Sequence, residues 1–423
     1  MHNNHSHACP LMPPHPHERP HQHRHDVVLG LDAGTTSAKA VVVDRVGGIL
    51  ATGGSDPIAT RTTRDGGSEQ DPEEIWRALT AAARLAIGSV GPDASVATLA
   101  VAAQSGSVIP VLAGARAERA ITWMDTRSES LVENWNKKIA ETIRTVSGWA
   151  PTSGVGLSTI AWLRASGWDR QMGEDSPRSS RWCSVDDYLV FRLTGQWVTN
   201  PSNAAGMQLM DVTTRTWSEE LCRVAGINAD RLSPILESGT VAGGLTAEAA
   251  SALGLEAGTP VVVGGHDQAC AALGLGTVEP GAAFLSAGTA WVLTAVSHQA
   301  DVGVLPPAWS LSPHVVPGLW TASVNLGGLG VLIAESPPDS TRAAFEACAH
   351  RVQAALEGAA ETVAGGSELV TVGGGTRFYE LVDVLADVID RPVVARPDAS
   401  WPALGAARLA GSALGWWLPG EAP

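Results

Sequence analysis

The chain is short of cations. Its 423 residues hold 28 lysines and arginines against 43 aspartates and glutamates, a net charge of -15. That balance repels phosphate backbones and anionic lipids, so it argues against a nucleic-acid or membrane partner and leaves a small molecule as the expected one. Cysteine is scarce as well. Cys9, Cys183, Cys222, Cys270 and Cys348 lack the spacing of a metal site or a disulfide framework, so reduced thiols and a cytoplasmic setting are expected. No apolar run reaches bilayer-spanning length, and the first residues lack the apolar stretch of a signal peptide.

What is present is globular, with 44% hydrophobic and 17% charged residues. The length exceeds one ordinary core and predicts two domains. Residues 1–25 stand apart, with histidines from His2 to His25 interleaved with proline. That composition buries no core and predicts a disordered tail.

The most informative stretch runs from Val27 to Asp44, where two apolar, β-branched runs flank Gly34-Thr35-Thr36-Ser37. This predicts a β-hairpin whose tip carries chemistry. Gly34 admits an anion close to the backbone, and Thr35, Thr36 and Ser37 add hydroxyls to their amides. Lys39, just past the tip, is counted with it on the phosphate side. Asp32 beside phosphate oxygens is unfavourable without a divalent cation between them, so it is the expected Mg²⁺-side residue. A second such pattern, Ala282 to Val296, carries Ala287-Gly288-Thr289 between two apolar runs. Two hairpins in two halves predict a duplicated fold around a shared cleft.

On these two hairpins the chain resembles the FGGY family of carbohydrate kinases, within the actin-like, ribonuclease-H-like ATPase superfamily. The resemblance implies an α/β fold of two domains with the active-site cleft between them. It further implies a sugar-binding domain over residues 26–278 and a shortened nucleotide-binding domain over 279–415. Other stretches strengthen it. Glu69-Gln70-Asp71-Pro72 is similar to a family segment, and Asp71 and Pro72 are a natural helix start. Residues Val96 to Ala103 predict a buried strand ending at Gln104-Ser105-Gly106-Ser107, a common ligand position in α/β folds. In xylulokinase-like members a Gln-Met-His trio meets the sugar there, so Gln104, Ser105 and Gly106 are substrate candidates although two of them depart from the pattern. Trp123 could stack on a sugar, while Asp125 and Arg127 could pair with each other or with hydroxyls. Asp186 or Asp187 could point to the cleft, against a capping or surface role.

The catalytic candidate is Asp267. Val261-Val262-Val263 runs into Gly264-Gly265-His266, and Asp267-Gln268 begins an alanine-rich helix. Phosphorylating an alcohol requires the hydroxyl to be aligned and its proton removed, which a fixed carboxylate does. A helix cap is the plain alternative for Asp267, and His266 reads as a packed neighbour. Gly373-Gly374-Gly375, between a strand and an amphipathic helix over 379–389, matches the family's adenosine-binding segment, and Trp401 to Ala410 its closing helix. The stretch between Thr289 and Gly373 lacks the Pro/Gly-rich segment with a Gly-Glu-Arg-like motif that family members carry.

Taken together, these readings predict an ATP- and Mg²⁺-dependent kinase acting on a sugar hydroxyl, with a ketopentose such as xylulose as the first expectation. Gluconate or a polyol is the alternative within the family. A non-catalytic sugar or nucleotide sensor is the alternative outside it, and a homodimer is compatible with either.

Overall fold

The apolar runs around Gly34–Ser37 pair as a hairpin, and that hairpin lies within the first of two six-stranded sheets. A computed structural model describes residues 25–112, 116–168, 181–337, 340–360, 366–396 and 400–421. The expected disordered tail lies outside the described residues except for His25, which opens the first strand.

In chain order the first half comprises β1 (His25–Ala33), β2 (Ala38–Asp44), β3 (Ile49–Gly54), α1 (Pro72–Val90) and β4 (Ala94–Ala103). There follow α2 (Lys137–Ser147), α3 (Val185–Thr194), α4 (Pro201–Gly206), β5 (Val241–Gly244), β6 (Pro260–His266) and α5 (Asp267–Leu275). α1 begins as its sequence predicts, with the Asp71 carboxylate accepting from the Glu73 amide at 2.8 Å and Pro72 in the first turn. The sheet order is β5-β6-β4-β1-β2-β3. β1 pairs antiparallel with β2 and parallel with β4, and β6 pairs parallel with β4. The carboxyl ends of β1, β4 and β6 therefore converge on one edge, which brings Asp32, Gln104 and Asp267 to the same place.

The second half repeats the plan with β7 (Ala283–Ala287), β8 (Trp291–Ser297), β9 (Ser310–Pro313) and β10 (Trp320–Gly327), then α6 (Leu329–Glu335), α7 (Thr341–Gly358), β11 (Leu369–Val372), α8 (Tyr379–Ile389) and β12 (Val393–Arg396). Its sheet order is β9-β10-β8-β7-β11-β12. The β7–β8 hairpin is again antiparallel, and β7 again has a parallel neighbour, β11. The two hairpins thus occupy equivalent positions in two sheets.

α9 (Trp401–Ala413) follows the last strand of the second sheet. Instead of covering the second sheet, it returns to the first. Ala403, Ala406, Ala407 and Ala410 pack with Val28, Val41 and Ala100 of that sheet and with Ala269 and Leu273 of α5. The reason is steric: α9 and α5 are so rich in small residues that their backbones touch. A Cβ on Gly405 would lie 1.8 Å from the Cys270 carbonyl oxygen. Arg408 reinforces the contact by donating from Nη1 to the Leu273 carbonyl at 2.6 Å near the end of α5. Cys183, Cys222, Cys270 and Cys348 are buried free thiols.

Candidate active site

Beginning with the first hairpin, pairing of Ala33 with Ala38 leaves Gly34 to Ser37 as the tip. Thr35 is pinned by its neighbours: its hydroxyl donates to Gln104 Oε1 at 3.1 Å and accepts from Trp123 Nε1 at 2.9 Å. Gln70 Nε2 donates to its carbonyl at 2.7 Å. Gln104 is itself buried and receives a further bond from Ser107 Oγ at 3.0 Å. The hydroxyl of Thr35 is therefore largely committed to fixing the loop.

These residues open onto a cavity of ≈ 310 Å³ whose lining includes Thr35, Gln104, Ser105, Gly106, Trp123, His266 and Asp267. Gly106 takes a positive φ of 84°, a conformation that a side chain there would strain. Asp267 is the first residue of α5, with Oδ1 3.0 Å from His266 Nε2. His266 therefore orients the carboxylate.

Asp32 stands beside this pair but deeper, only 6% exposed. Burial, followed by the charge of Asp267, pushes its pKa up to about 7. Its Oδ1 is buried without a hydrogen-bond partner. An orphaned carboxylate oxygen close to a second carboxylate is a place where a divalent cation fits. Among the described residues no three His, Cys, Asp or Glu side chains cluster as a complete metal site, so phosphate oxygens and water would supply the remaining ligands, the usual Mg²⁺ arrangement. Lys39 pairs across from Asp32 in the hairpin register, and its charge partly offsets that shift.

The second hairpin forms another pocket, of ≈ 470 Å³, lined among others by Gly288, Thr289, Gly374, Gly375 and Phe378. The sequence placed these glycines some eighty residues apart; the parallel β7–β11 pairing brings them side by side. Gly373 has a φ of 93°, and a Cβ there would meet the Ala287 carbonyl oxygen at 2.9 Å. The absent Gly-Glu-Arg-like segment leaves only the short α6 between β10 and α7, apart from residues 338 and 339, which are outside the described ones.

Two expectations change. Asp125 does not face the cavity. Its carboxylate accepts from the Ser68 amide at 2.9 Å and from Arg127 Nη2 at 2.7 Å, and it is 3% exposed, so it braces the loop that carries Trp123. Asp186 and Asp187 are both buried, which rules out a surface role. Asp187 closes a capping box with Ser184 at the start of α3, while Asp186 Oδ2 accepts from Thr199 Oγ1 and Asn200 Nδ2, each at 2.9 Å.

Burial, and next the charge of Asp187, raise the Asp186 pKa to about 8. Its folded value lies above its unfolded one, so the folded chain holds the extra proton, and the stability gained is lost as pH rises from about 4 to about 8. Asp186→Asn removes that dependence. The variant is expected to gain on the wild type by up to ~1.4 kcal/mol per pH unit across this window, with no further gain above it. Denaturant unfolding of both proteins between pH 5 and 9 measures the difference.

Sequence reasoning missed much of the cavity wall: Trp149, Trp309, Ser310, Ser312, Thr321 and Ser323. Isolated tryptophans and strand hydroxyls carry no local signal. Arg144 of α2 ties this wall to the first domain by donating to the carbonyls of Leu305, Pro306, Pro307 and Trp309.

The model of the FGGY family of carbohydrate kinases, N-terminal domain, matches residues 27–274, and that of the C-terminal domain matches residues 286–414. Autoinducer-2 kinase of Escherichia coli (strain K12) is 31% identical over 306 residues, covering 69% of this chain and 55% of the relative. Autoinducer-2 kinase of Yersinia enterocolitica is 32% identical over 315 residues, covering 70% and 55%. The chain thus spans about half the length of these curated relatives. Among solved structures, gluconate kinase from Lactobacillus acidophilus superposes with a TM-score of 0.83 at 19% identity, covering 93% of this chain and 90% of that one. Xylulose kinase from Rhodospirillum rubrum gives 0.79 at 22% identity, covering 92% and 90%. These two establish the fold, the two-domain actin-like architecture. No described helix is long and apolar enough to cross a membrane.

Proposed function

Because the chain belongs to the FGGY family of carbohydrate kinases, we propose that it transfers the γ-phosphate of MgATP to a hydroxyl of a small sugar or polyol. The observation that carries this reading is Asp267, held by His266 in the wall of a cavity that also takes in Thr35 of the first hairpin. The acceptor lies in that cavity. ATP lies against the second hairpin and the Gly373–Gly375 turn, with Phe378 at the adenosine end.

In the reaction Asp267 accepts the proton of the acceptor hydroxyl as its oxygen bonds to the γ-phosphorus. The bond from that phosphorus to the β,γ-bridging oxygen breaks, and ADP departs. Asp32, with its unpartnered Oδ1, would hold Mg²⁺, which would offset phosphate charge. Backbone amides of the two hairpin tips receive the phosphate oxygens. The cavity lies between two domains, so closure excludes water and limits wasteful hydrolysis of ATP.

Within this class a neutral ketose such as xylulose is the preferred acceptor, and autoinducer-2 joins it because the curated relatives bear that name. The reading is tested by ADP release from MgATP in the presence of xylulose, other ketoses, glycerol, erythritol, gluconate and autoinducer-2. Stimulation by at least one acceptor supports it. ATP binding with no stimulation by any acceptor would favour the sensor reading, to which the compact second domain lends weight.

A further inference from the structure

The second domain faces the cavity with a row of strand hydroxyls. Ser310 and Ser312 of β9 lie directly opposite Ser323 and Thr321 of β10 in an antiparallel register. Alternate residues share a face, so these four hydroxyls form one patch, and all four line the cavity.

Their hydrogen bonds do not exhaust them, although Ser323 Oγ already shares a bond with Thr294 Oγ1 at 3.0 Å. Ser310 Oγ donates to the Ser323 carbonyl at 3.1 Å and Thr321 Oγ1 to the Ser312 carbonyl at 3.4 Å, so both keep acceptor lone pairs. Ser312 Oγ accepts from Trp149 Nε1 at 3.0 Å and keeps its proton to donate. Such a mixture suits hydroxyl groups, which donate and accept, better than a carboxylate, which only accepts.

Charge points the same way. Among the described residues no lysine or arginine lines the cavity, and its one basic side chain, His266, is engaged by Asp267. An acceptor carboxylate or phosphate would be desolvated there without a cationic partner and beside Asp267.

Position completes the argument. β8 starts just after the phosphate-side hairpin, where Trp291 pairs with Gly327 at the end of β10. From that end the residues run back along β10, and Thr321, six residues away, lies ~20 Å along the strand. The patch therefore lies in the part of the cavity away from the phosphate-side hairpin, where the remote end of an acceptor would reach.

We propose that Ser310, Ser312, Thr321 and Ser323 form a specificity wall that reads the remote hydroxyls of an uncharged acceptor longer than a triol. The inference rests on the kinase reading above. It is tested on the full chain by kcat and KM for glycerol, erythritol, xylulose and gluconate, and by calorimetric binding of the same compounds. The variants are Thr321→Val, Thr321→Ser and Ser323→Ala.

The expected result is a kcat/KM for gluconate at least about a hundredfold below that for xylulose, because the charged end finds no partner. Thr321→Val raises the KM for xylulose about tenfold, the equivalent of one lost hydrogen bond. The KM for ATP stays unchanged, Thr321→Ser restores the wild-type value, and the effect shrinks toward glycerol. Ser323→Ala gives the same length dependence and carries the test if Thr321→Val does not fold. Gluconate used as well as xylulose, or losses independent of acceptor length, overturns the wall and leaves the kinase intact. A neutral polyol bound but never phosphorylated, with the same variant pattern in binding, overturns the kinase reading and leaves the wall standing. Failure to bind any neutral acceptor overturns the wall.

Discussion

Asp267→Asn is expected to lower kcat for the preferred acceptor by about a thousandfold, within the span a general base contributes. The asparagine keeps the size of the side chain and its place at the first turn of α5, so the fold and the acceptor cavity persist. What is lost is the capacity to take the proton. ATP binding should change little, because the nucleotide pocket is lined by second-domain residues such as Gly288, Gly374 and Phe378. Steady-state kinetics with parallel ATP titration separates these effects. A variant with wild-type kcat sinks the assignment of Asp267 as base, and a variant that no longer binds ATP shows a wider structural role.

The second large effect falls on stability. Gly405→Val should cost on the order of 4 kcal/mol, at the upper end for overpacking. Its Cβ would sit 1.8 Å from the Cys270 carbonyl oxygen, a backbone atom that cannot turn aside. The helices must separate, and α5 carries Asp267 at its start, so activity should fall along with stability. A glycine that meets nothing makes the control. A Cβ on Gly88, inside α1, has no heavy atom within 4 Å. Gly88→Ala should stabilise by ~0.5–1 kcal/mol through helix propensity and reduced freedom of the unfolded chain. Denaturant unfolding of the two variants checks both magnitudes. Equal and small effects would remove the backbone contact between α5 and α9 as a structural determinant.

Much of the site was legible because its signals are local. A Gly-Thr tip between β-branched runs fixes a hairpin through turn chemistry and strand period, both read within a dozen residues. The same holds for Asp267, where a valine strand, two glycines and an alanine-rich helix follow one another. Asp125 was ambiguous for the opposite reason. Pairing with Arg127 and contact with substrate look alike in sequence, and the choice was made by the Ser68 amide, 57 residues away. Asp186 likewise carries no mark of its complete burial, because the groups that cover it come from other segments.

The two hairpins, the aspartate at a helix start, the glycine turn and hence the family could be read along the chain, because each depends on neighbours in sequence. Packing between distant segments set the return of α9 to the first sheet and the shared electrostatic environment of Asp32 and Asp267. The same packing places strand hydroxyls of the second domain in the wall of the cavity that holds Asp267. Those facts arise from sheet pairing and helix packing between residues far apart in sequence, whose energies depend on distance in space and leave no periodic trace along the chain.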